Sequence, residues 1–288
     1  MWSNNNEIEF FTKSLEKFSA PEKLFYNLNF GYFAYIPKNV DSESQVIQGR
    51  NSLIGQFTEK WCKDVFSPLA SELGLFALNG VQCEELELTS KSPADLAFCS
   101  TNSINQKAEN IKLIVEIKMS IVSNYRFYPE SNKIEYIGDY KSHKGNPSLL
   151  RSDSVLKAIG KSLNIRISSN TARKIPIIIV GNSPITDNYS DKVDLLKTSG
   201  VIQGFISMNQ NPTTSTYIKN TQKKGFRTYS NFVTFKDWIY DLLNTELNYF
   251  SSMISKKRLG EIIQMSNSES DLVNKAEKFL SLLDDNHE

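Results

Sequence analysis

Two short apolar segments that each carry an acid, residues 92–98 (SPADLAF) and 113–118 (LIVEIK), decide the fold predicted for this chain. Both have the composition of buried strands, yet each holds an acid where a fully buried strand would not tolerate one. Side chains alternate between the two faces of a strand, so Glu116 and Lys118 share one face while Val115 and Ile117 point into a core. If the two strands pair, Asp95 joins Glu116 and Lys118 on that face.

Two carboxylates and a lysine on one face of a sheet favour a divalent metal site. Hard cations such as Mg²⁺ take carboxylate and carbonyl oxygens, and a nearby lysine can orient or help deprotonate a water molecule. The alternative is a solvated cross-strand ion pair. The metal site is favoured because 116–118 is the only Glu-x-Lys in the chain and lies in an apolar strand downstream of the Asp95 strand.

The segments 93–95 (PAD) and 116–118 (EIK) resemble the PD-(D/E)XK nuclease superfamily, which includes many type II restriction endonucleases. Here the usual Pro-Asp pair is separated by Ala94. The resemblance implies an α/β fold with a restriction-endonuclease-like core, αβββαβ, whose mixed central sheet is flanked by helices, with N-terminal and C-terminal helical additions. It implies that Asp95, Glu116 and the carbonyl group of Ile117 hold Mg²⁺, and that Asp95, Glu116 and Lys118 are catalytic.

A helix before these strands supplies a further candidate. Residues 51–75 have apolar positions at helical spacing and predict an amphipathic helix, which Pro68 would kink or end. Gly55 and Glu59 lie on one face of it. In the resembled family such a helix often carries a glutamate that points into the site, so Glu59 is a catalytic candidate that would bring a second metal or orient a water. The alternative is a solvated glutamate beside lysines.

The helix that follows the Glu-x-Lys strand is predicted over residues 155–167, capped by the segment 152–154 (SDS). Val155, Ile159 and Leu163 form its expected buried stripe, and Lys157 and Lys161 lie together on another face. In the resembled family a lysine or glutamine of this helix often faces the active site. Lys157 is the candidate for that role, and a surface lysine is the alternative.

The remaining pattern predicts a mixed sheet. Residues 81–88 alternate apolar and acidic positions, which indicates a half-exposed first strand, whereas 174–181 is a continuous apolar run typical of a strand buried on both faces. A helix at 189–198 and a strand at 201–208 complete a crossover unit. Further helices are predicted at 7–18, 232–250 and 272–283, and the domain boundaries are 1–50 for an N-terminal helical and aromatic section, 51–250 for the nuclease domain and 251–288 for a C-terminal helical tail.

Composition excludes several classes of protein. The chain has 288 residues, 40% of them hydrophobic, a net charge of +1 and only two histidines, so a Ser-His-Asp or Cys-His site or a histidine-based nuclease is disfavoured. Three cysteines without metal-ligand spacing indicate neither a disulfide framework nor a zinc site. We expect a cytoplasmic protein without a signal peptide or a membrane span.

Basic charge is concentrated beside the predicted site. Residues 118–174 contain 11 Lys or Arg against 4 acids, although the whole chain is nearly neutral. Aromatic and basic residues interleave at 125–128 and 136–145, and residues 209–231 form a second basic segment, which suits contact with nucleic-acid phosphates. The candidate DNA-binding residues are Arg126, Lys141, His143, Lys144, Arg151, Lys157, Lys161, Lys223, Lys224 and Arg227.

The sequence therefore predicts a Mg²⁺-dependent endonuclease that acts on double-stranded DNA, and the resemblance makes a type II restriction enzyme the first choice. By the same analogy we expect a homodimer, to match a palindromic target, and a companion DNA methyltransferase in the same system. Two alternatives stay open. One is a repair or junction-resolving nuclease with the same site, and the other is a DNA-binding protein whose carboxylates form only ion pairs.

Overall fold

The structure is a computed structural model that describes residues 1–41, 47, 49–249 and 254–284. It consists of two compact units, Met1–Tyr249 and Phe250–Glu288. The helices are α1 (Asn4–Phe18), α2 (Arg50–Glu72), α3 (Ser152–Ser168), α4 (Ser190–Thr198), α5 (Phe232–Leu243), α6 (Lys256–Ser266) and α7 (Leu272–Asp284). The strands are β1 (Tyr26–Leu28), β2 (Gly31–Phe33), β3 (Phe76–Val81), β4 (Ala94–Cys99), β5 (Ile111–Ile117), β6 (Asn124–Tyr128), β7 (Lys133–Gly138), β8 (Ile177–Gly181), β9 (Gly204–Ser207) and β10 (Phe226–Thr228).

The first unit is built on a six-stranded mixed sheet in the order β10-β9-β8-β5-β4-β3. Strands β3, β4 and β5 pair antiparallel, whereas β5, β8, β9 and β10 pair parallel. All five residues of β8 are buried, as its continuous apolar sequence predicts for a strand covered on both faces. The predicted α/β class with a mixed sheet flanked by helices is confirmed.

Helices cover both faces of this sheet. On one face α2 and α5 pack against apolar side chains of β4, β5, β8 and β9, and on the other face α3 and α4 pack against β5, β8, β9 and β10. Helix α2 buries Ile54, Thr58, Cys62, Phe66 and Leu69, which recur every three or four residues. Pro68 lies inside α2 without ending it. It is exposed, so the carbonyl group that loses its partner remains on the solvent side.

The strand predicted at 81–88 is wrong. Strand β3 ends at Val81, and a 3₁₀ turn at Glu84–Leu86 then brings Leu88 back to bridge with Cys83. Glu87 has a φ of 55°, which closes this turn and is incompatible with a strand. The alternating pattern arose because the turn buries its apolar side chains and exposes its glutamates.

The buried stripe predicted for α3 is also partly wrong. Val155 is buried, but Ile159 is half-buried and Leu163 is 41% exposed. The buried face instead combines apolar side chains with two polar ones, Ser162 and Arg166, which are hydrogen-bonded. The buried residues are Val155, Ala158, Ser162, Ile165 and Arg166.

A second, four-stranded antiparallel sheet has the order β1-β2-β6-β7. It joins the aromatic N-terminal segment to the β6–β7 hairpin, which is inserted between β5 and α3. Helix α1 packs on this sheet through Phe10 and Phe11, and Phe11 stacks on Phe25 with 4.6 Å between the ring centroids. Phe10, Phe11 and Phe25 are therefore packing residues of the first unit, whereas Phe30 is 48% exposed.

The second unit contains two described helices, α6 and α7, which contact each other. Ser255 caps α6 by accepting a hydrogen bond from the backbone N–H of Arg258. The predicted helix 272–283 corresponds to α7, whereas 251–253 and 285–288 of the predicted tail lie outside the described residues. Across the part of the chain that the structure describes, no helix combines the length and the apolar character needed to cross a bilayer.

Glu7 anchors α1 to the rest of the first unit. Its buried carboxylate accepts hydrogen bonds from Trp2 Nε1 at 3.0 Å, from the backbone N–H groups of Val122 and Ser123 at 2.8 and 3.0 Å, and from the Tyr125 hydroxyl at 2.9 Å. Burial outweighs these bonds and raises the pKa of Glu7 to about 7.

Glu7 is therefore expected to make stability fall as the pH rises. The folded carboxyl keeps its proton above the unfolded pKa of 4.5, so the folded state binds more protons between pH 4.5 and 7 and loses stability across that range. The loss approaches about 3 kcal/mol above pH 7. We expect the free energy of unfolding of the wild type minus that of Glu7→Gln, measured with urea from pH 5 to pH 8, to decrease with pH.

His143 acts in the opposite direction in both proteins and cancels in this difference. Burial lowers its pKa to about 4, so its contribution to stability is lost as the pH falls from 6.5 towards 4. A difference between wild type and Glu7→Gln that does not change with pH would contradict the assignment to Glu7.

Candidate active site

Strands β4 and β5 bring Asp95, Glu116 and Lys118 together, as the sequence predicts. Leu96 pairs with Val115, so the next residues outward, Asp95 and Glu116, are neighbours at the end of the ladder. Asp95 Oδ2 accepts a hydrogen bond from the backbone N–H of Ile117 at 2.7 Å, which fixes the carboxylate against β5. Lys118 Nζ lies 2.5 Å from Glu116 Oε1 and 3.6 Å from Asp95 Oδ2.

The helix after the Glu-x-Lys strand contributes Lys161 to this cluster. Its Nζ lies 2.6 Å from Glu116 Oε2 and 3.3 Å from Asp95 Oδ1, and it donates to the carbonyl oxygen of Pro93 at 2.7 Å. Burial alone would lower the pKa of Lys161, but the charges of Glu116 and Asp95 together raise it. The ammonium group thus bridges the two carboxylates. We call the side chains of Asp95, Glu116, Lys118 and Lys161 the charged cluster.

Lys157 does not face the carboxylates. Its side chain is 78% exposed, and its Nζ lies 3.9 Å from Asp153. Lys161 is one turn further along α3, about 6 Å along the helix axis. Its Nζ therefore reaches Pro93 and Asp95 at the start of β4. The structure therefore replaces Lys157 by Lys161 as the lysine of this helix that faces the cluster.

Glu59 lies beside the charged cluster without joining it. The side-chain amide of Asn79 donates to the backbone carbonyl oxygen of Asp95 at 2.8 Å and to that of Glu59 at 3.3 Å, which ties α2 to β4. Burial, and next the negative charge of Asp95, raise the pKa of Glu59. Glu59 is half-buried and interacts electrostatically with the charges of the cluster.

The end of β5 is fixed by hydrogen bonds that the sequence did not indicate. Ser148 Oγ donates to the carbonyl oxygen of Lys118 at 2.6 Å and accepts from the backbone N–H of Asn182 at 3.0 Å. The backbone N–H of Lys118 donates to the carbonyl oxygen of Val180 at 2.7 Å. These bonds hold the lysine backbone between β5 and the loop after β8.

The donors of the charged cluster are chemically suited to a hard cation. Asp95, Glu116 and the carbonyl group of Ile117 offer only oxygen atoms, and both lysine ammonium groups stand in for a cation against them. Glu116 Oε2 is buried and, among the described residues, has no aligned hydrogen-bond donor, because its contact with Lys161 is an ion pair without hydrogen-bond geometry. The described residues form no group of three or more acidic, histidine or cysteine side chains arranged to hold a metal.

Two of the predicted DNA-binding residues are not freely exposed. His143 is 1% exposed, stacks on Tyr35 at 4.1 Å between ring centroids and contacts the carbonyl oxygen of Val122 through Nε2, so it is a packing residue. Lys161 is held in the charged cluster. The others reach solvent: Arg126, Lys141, Lys144, Arg151, Lys157, Lys223, Lys224 and Arg227.

These accessible residues do not form one surface. Lys144 and Arg151 lie beside the charged cluster and line the same cleft as Lys118. Arg227 is in β10, the third strand from β5, about 14 Å across the sheet. Arg126 is in the second sheet, where it donates to the carbonyl oxygen of Phe30.

Arg50 is a residue of this region that sequence reasoning missed. It is the first residue of α2, lines the cleft beside Lys118 and is 5% exposed. A signal was present, because a cation at a helix N-terminus interacts unfavourably with the helix dipole and is seldom placed there without a reason.

Searches of protein-family models, curated proteins and solved structures found no match to this chain.

Proposed function

We propose that this protein is a metal-dependent endonuclease that hydrolyses phosphodiester bonds of double-stranded DNA. The observation that carries the proposal is the charged cluster, in which two neighbouring interior strands and a helix bring two carboxylates and two lysines together where these strands meet. The element order α2-β3-β4-β5-α3-β8 corresponds to the αβββαβ core that the resemblance implies, with the β6–β7 hairpin inserted after β5. This order supports a restriction-endonuclease-like core.

The side chains divide the chemistry between them. Asp95, Glu116 and the carbonyl oxygen of Ile117 would hold Mg²⁺, which when bound neutralises the charge that develops on the phosphate. Lys118, 19% exposed and next to both carboxylates, is placed to orient an attacking water and to stabilise its deprotonated form. Glu59, with its raised pKa, is placed to accept or hold a proton at the rim of the site. Hydrolysis is direct, without a covalent intermediate on the protein.

Within this class we propose a sequence-specific type II restriction enzyme of the cytoplasm. It would act as a homodimer on a palindromic target and be accompanied by a DNA methyltransferase of the same system. The basic side chains beside the charged cluster, Lys144 and Arg151, support contact with the DNA backbone.

The decisive experiment is incubation of the purified protein with unmethylated phage DNA and Mg²⁺, beside Lys118→Ala and an EDTA control. Discrete fragments that disappear in both controls would support a sequence-specific endonuclease, and the mapped ends would give its target. Absence of cleavage on several DNAs, together with DNA binding that Asp95→Ala leaves intact, would favour the alternative of a binding protein whose carboxylates form only ion pairs.

Lys161→Gln is expected to raise the affinity of the cluster for Mn²⁺ about tenfold, because it removes a positive charge that lies between the two carboxylates. Isothermal titration calorimetry with Mn²⁺ in the absence of DNA measures this directly. Lys157→Gln, one turn away on the same helix and exposed, is the matched control and is expected to bind like the wild type. Equal or weaker binding by Lys161→Gln would mean that Lys161 does not compete with a cation.

A further inference from the structure

A cleft of about 580 Å³ opens beside the charged cluster. Its walls come from the end of β5, the first turns of α2 and α3, and the loop between β7 and α3. The charged residues that line it are all basic: Arg50, Lys118, Lys144 and Arg151. A cavity of this size is in the range that holds a small ligand, so it can accommodate a nucleotide unit.

Two long helices begin at this cleft. Helix α2 has 23 residues and α3 has 17, and neither has a side-chain hydrogen bond to cap its first turn. The first turn of α2 contains no acidic residue, whereas the first turn of α3 contains Asp153, whose carboxylate is paired with Arg151. Unsatisfied N–H groups and the positive end of a helix dipole favour an anion at such a position. The cleft therefore collects positive potential from backbone as well as from side chains.

Arg50 is a second, independent observation that supports an anion-binding site in this cleft. Its guanidinium is held by bonds from Nη1 to the carbonyl oxygens of Leu24 and Ala34, and lies between the rings of Tyr26 and Tyr35, whose centroids are 5.4 and 5.0 Å from Cζ. Among the described residues Arg50 has no acidic partner, and its buried Nε has no hydrogen-bond partner. A buried cation without an anion is costly, and this one adds to the positive end of a helix.

The cleft continues into the charged cluster. Lys118 belongs to both, and the cleft is also lined by Ile117, whose carbonyl oxygen accepts a hydrogen bond from Lys118 Nζ, so a ligand that fills the cleft also reaches the charged cluster. Arg151 at the rim is held by two bonds to Asp153, at 2.5 and 2.8 Å, which fix its guanidinium, and Lys144 is exposed. The ligand is thus an anion that extends from the cleft to the site of hydrolysis.

We infer that this cleft binds a phosphate of the cleaved DNA strand that neighbours the phosphate hydrolysed at Lys118. The inference rests on the proposed endonuclease function and adds where the cleaved DNA strand lies on the protein. The bound phosphate accepts hydrogen bonds from the first turns of α2 and α3 and is neutralised by Arg50, Lys144 and Arg151. The strand then runs from the cleft past Lys118 to the carboxylates.

The test measures DNA binding separately from cleavage. A fluorescein-labelled 30-base-pair duplex is titrated in EDTA at several KCl concentrations, with the double variant Lys144→Ala/Arg151→Ala and, as control, Lys13→Ala/Lys17→Ala. Both variants remove two exposed positive charges, but the control pair lies on α1. Thermal unfolding curves that match the wild type establish that both variants are folded.

For the cleft variant we expect about tenfold weaker binding at 100 mM KCl, and a salt dependence whose slope falls by about 0.9 for each DNA phosphate that the variant no longer neutralises. The control is expected to bind like the wild type. Equal binding by the cleft variant and the wild type, or no binding by the wild type at 50 mM KCl, would overturn the cleft assignment. Binding that depends on the cleft in a protein that cleaves no DNA with Mg²⁺ would support the cleft and overturn the endonuclease proposal.

Discussion

Lys118→Ala is expected to lower the single-turnover rate of DNA cleavage with Mg²⁺ by about 10²- to 10⁴-fold, the range for loss of a group that handles a proton in the reaction. Lys118 is the side chain that contacts Glu116 Oε1, Asp95 Oδ2 and the carbonyl oxygen of Ile117 together. Alanine removes these contacts and leaves Lys161 to neutralise both carboxylates. The rate is measured with enzyme in excess over a labelled DNA that carries the mapped site.

Lys112→Ala is the matched control for this variant. Lys112 lies on the same strand, is exposed and donates to the carbonyl oxygen of Glu109, away from the cluster. We expect it to cleave at the wild-type rate. Cleavage by Lys118→Ala at that rate would remove Lys118 from the mechanism, and equal losses in both variants would indicate a general effect on β5.

Gly225→Ala is expected to lower the free energy of unfolding by about 3 kcal/mol or more. An added Cβ at Gly225 would lie 2.3 Å from the carbonyl oxygen and 2.4 Å from the carbonyl carbon of Val193, and 2.6 Å from the backbone nitrogen of Asp194. These are backbone atoms of α4, so no side-chain rotation relieves the overlap. The loop must move, and the 2.7 Å hydrogen bond from the Gly225 N–H to Asp194 Oδ1 then breaks. Urea unfolding at pH 7 measures the change.

Gly160→Ala provides the contrast. Gly160 lies in the middle of α3, where an added Cβ meets no atom within 4 Å. Alanine should therefore stabilise the protein by about 0.5–1 kcal/mol, since it restricts the unfolded chain and favours the helix. A Gly225→Ala protein that unfolds at the wild-type urea concentration would refute the close approach of this loop to α4.

Prediction from sequence succeeded where burial and hydrogen bonding give the same pattern. The run before Gly181 is apolar because β8 is covered on both faces, and the strands that hold Asp95 and Glu116 were recognised for the same reason. It failed at residues 81–88, where a closed turn also alternates buried and exposed side chains. The sequence does not predict strand β3, because Asn79 and Gly80 are poor strand residues.

The parts of the site that sequence could not give depend on how distant segments pack against each other. Lys157 and Lys161 lie on one helix face, and only the position of α3 along its axis relative to the start of β4 decides which one meets the carboxylates. His143 looked like an accessible basic residue because its neighbours are polar, and its burial depends on stacking against Tyr35 from the N-terminal segment. Sequence periodicity carries neither kind of information.

The sheet shared by the N-terminal segment and the inserted hairpin has a consequence for synthesis on the ribosome. The bond from Arg126 to the carbonyl oxygen of Phe30 joins residues 96 positions apart, and the bond from the Val122 N–H to Glu7 spans 115 positions. At a translation rate of about 5–20 residues per second, roughly 5–20 s pass between the synthesis of Phe11 and Phe25 and the synthesis of β6, the strand on which they pack. During that interval they are exposed apolar surface on a nascent chain, so substitutions that weaken this sheet should reduce the yield of folded protein before they reduce its activity.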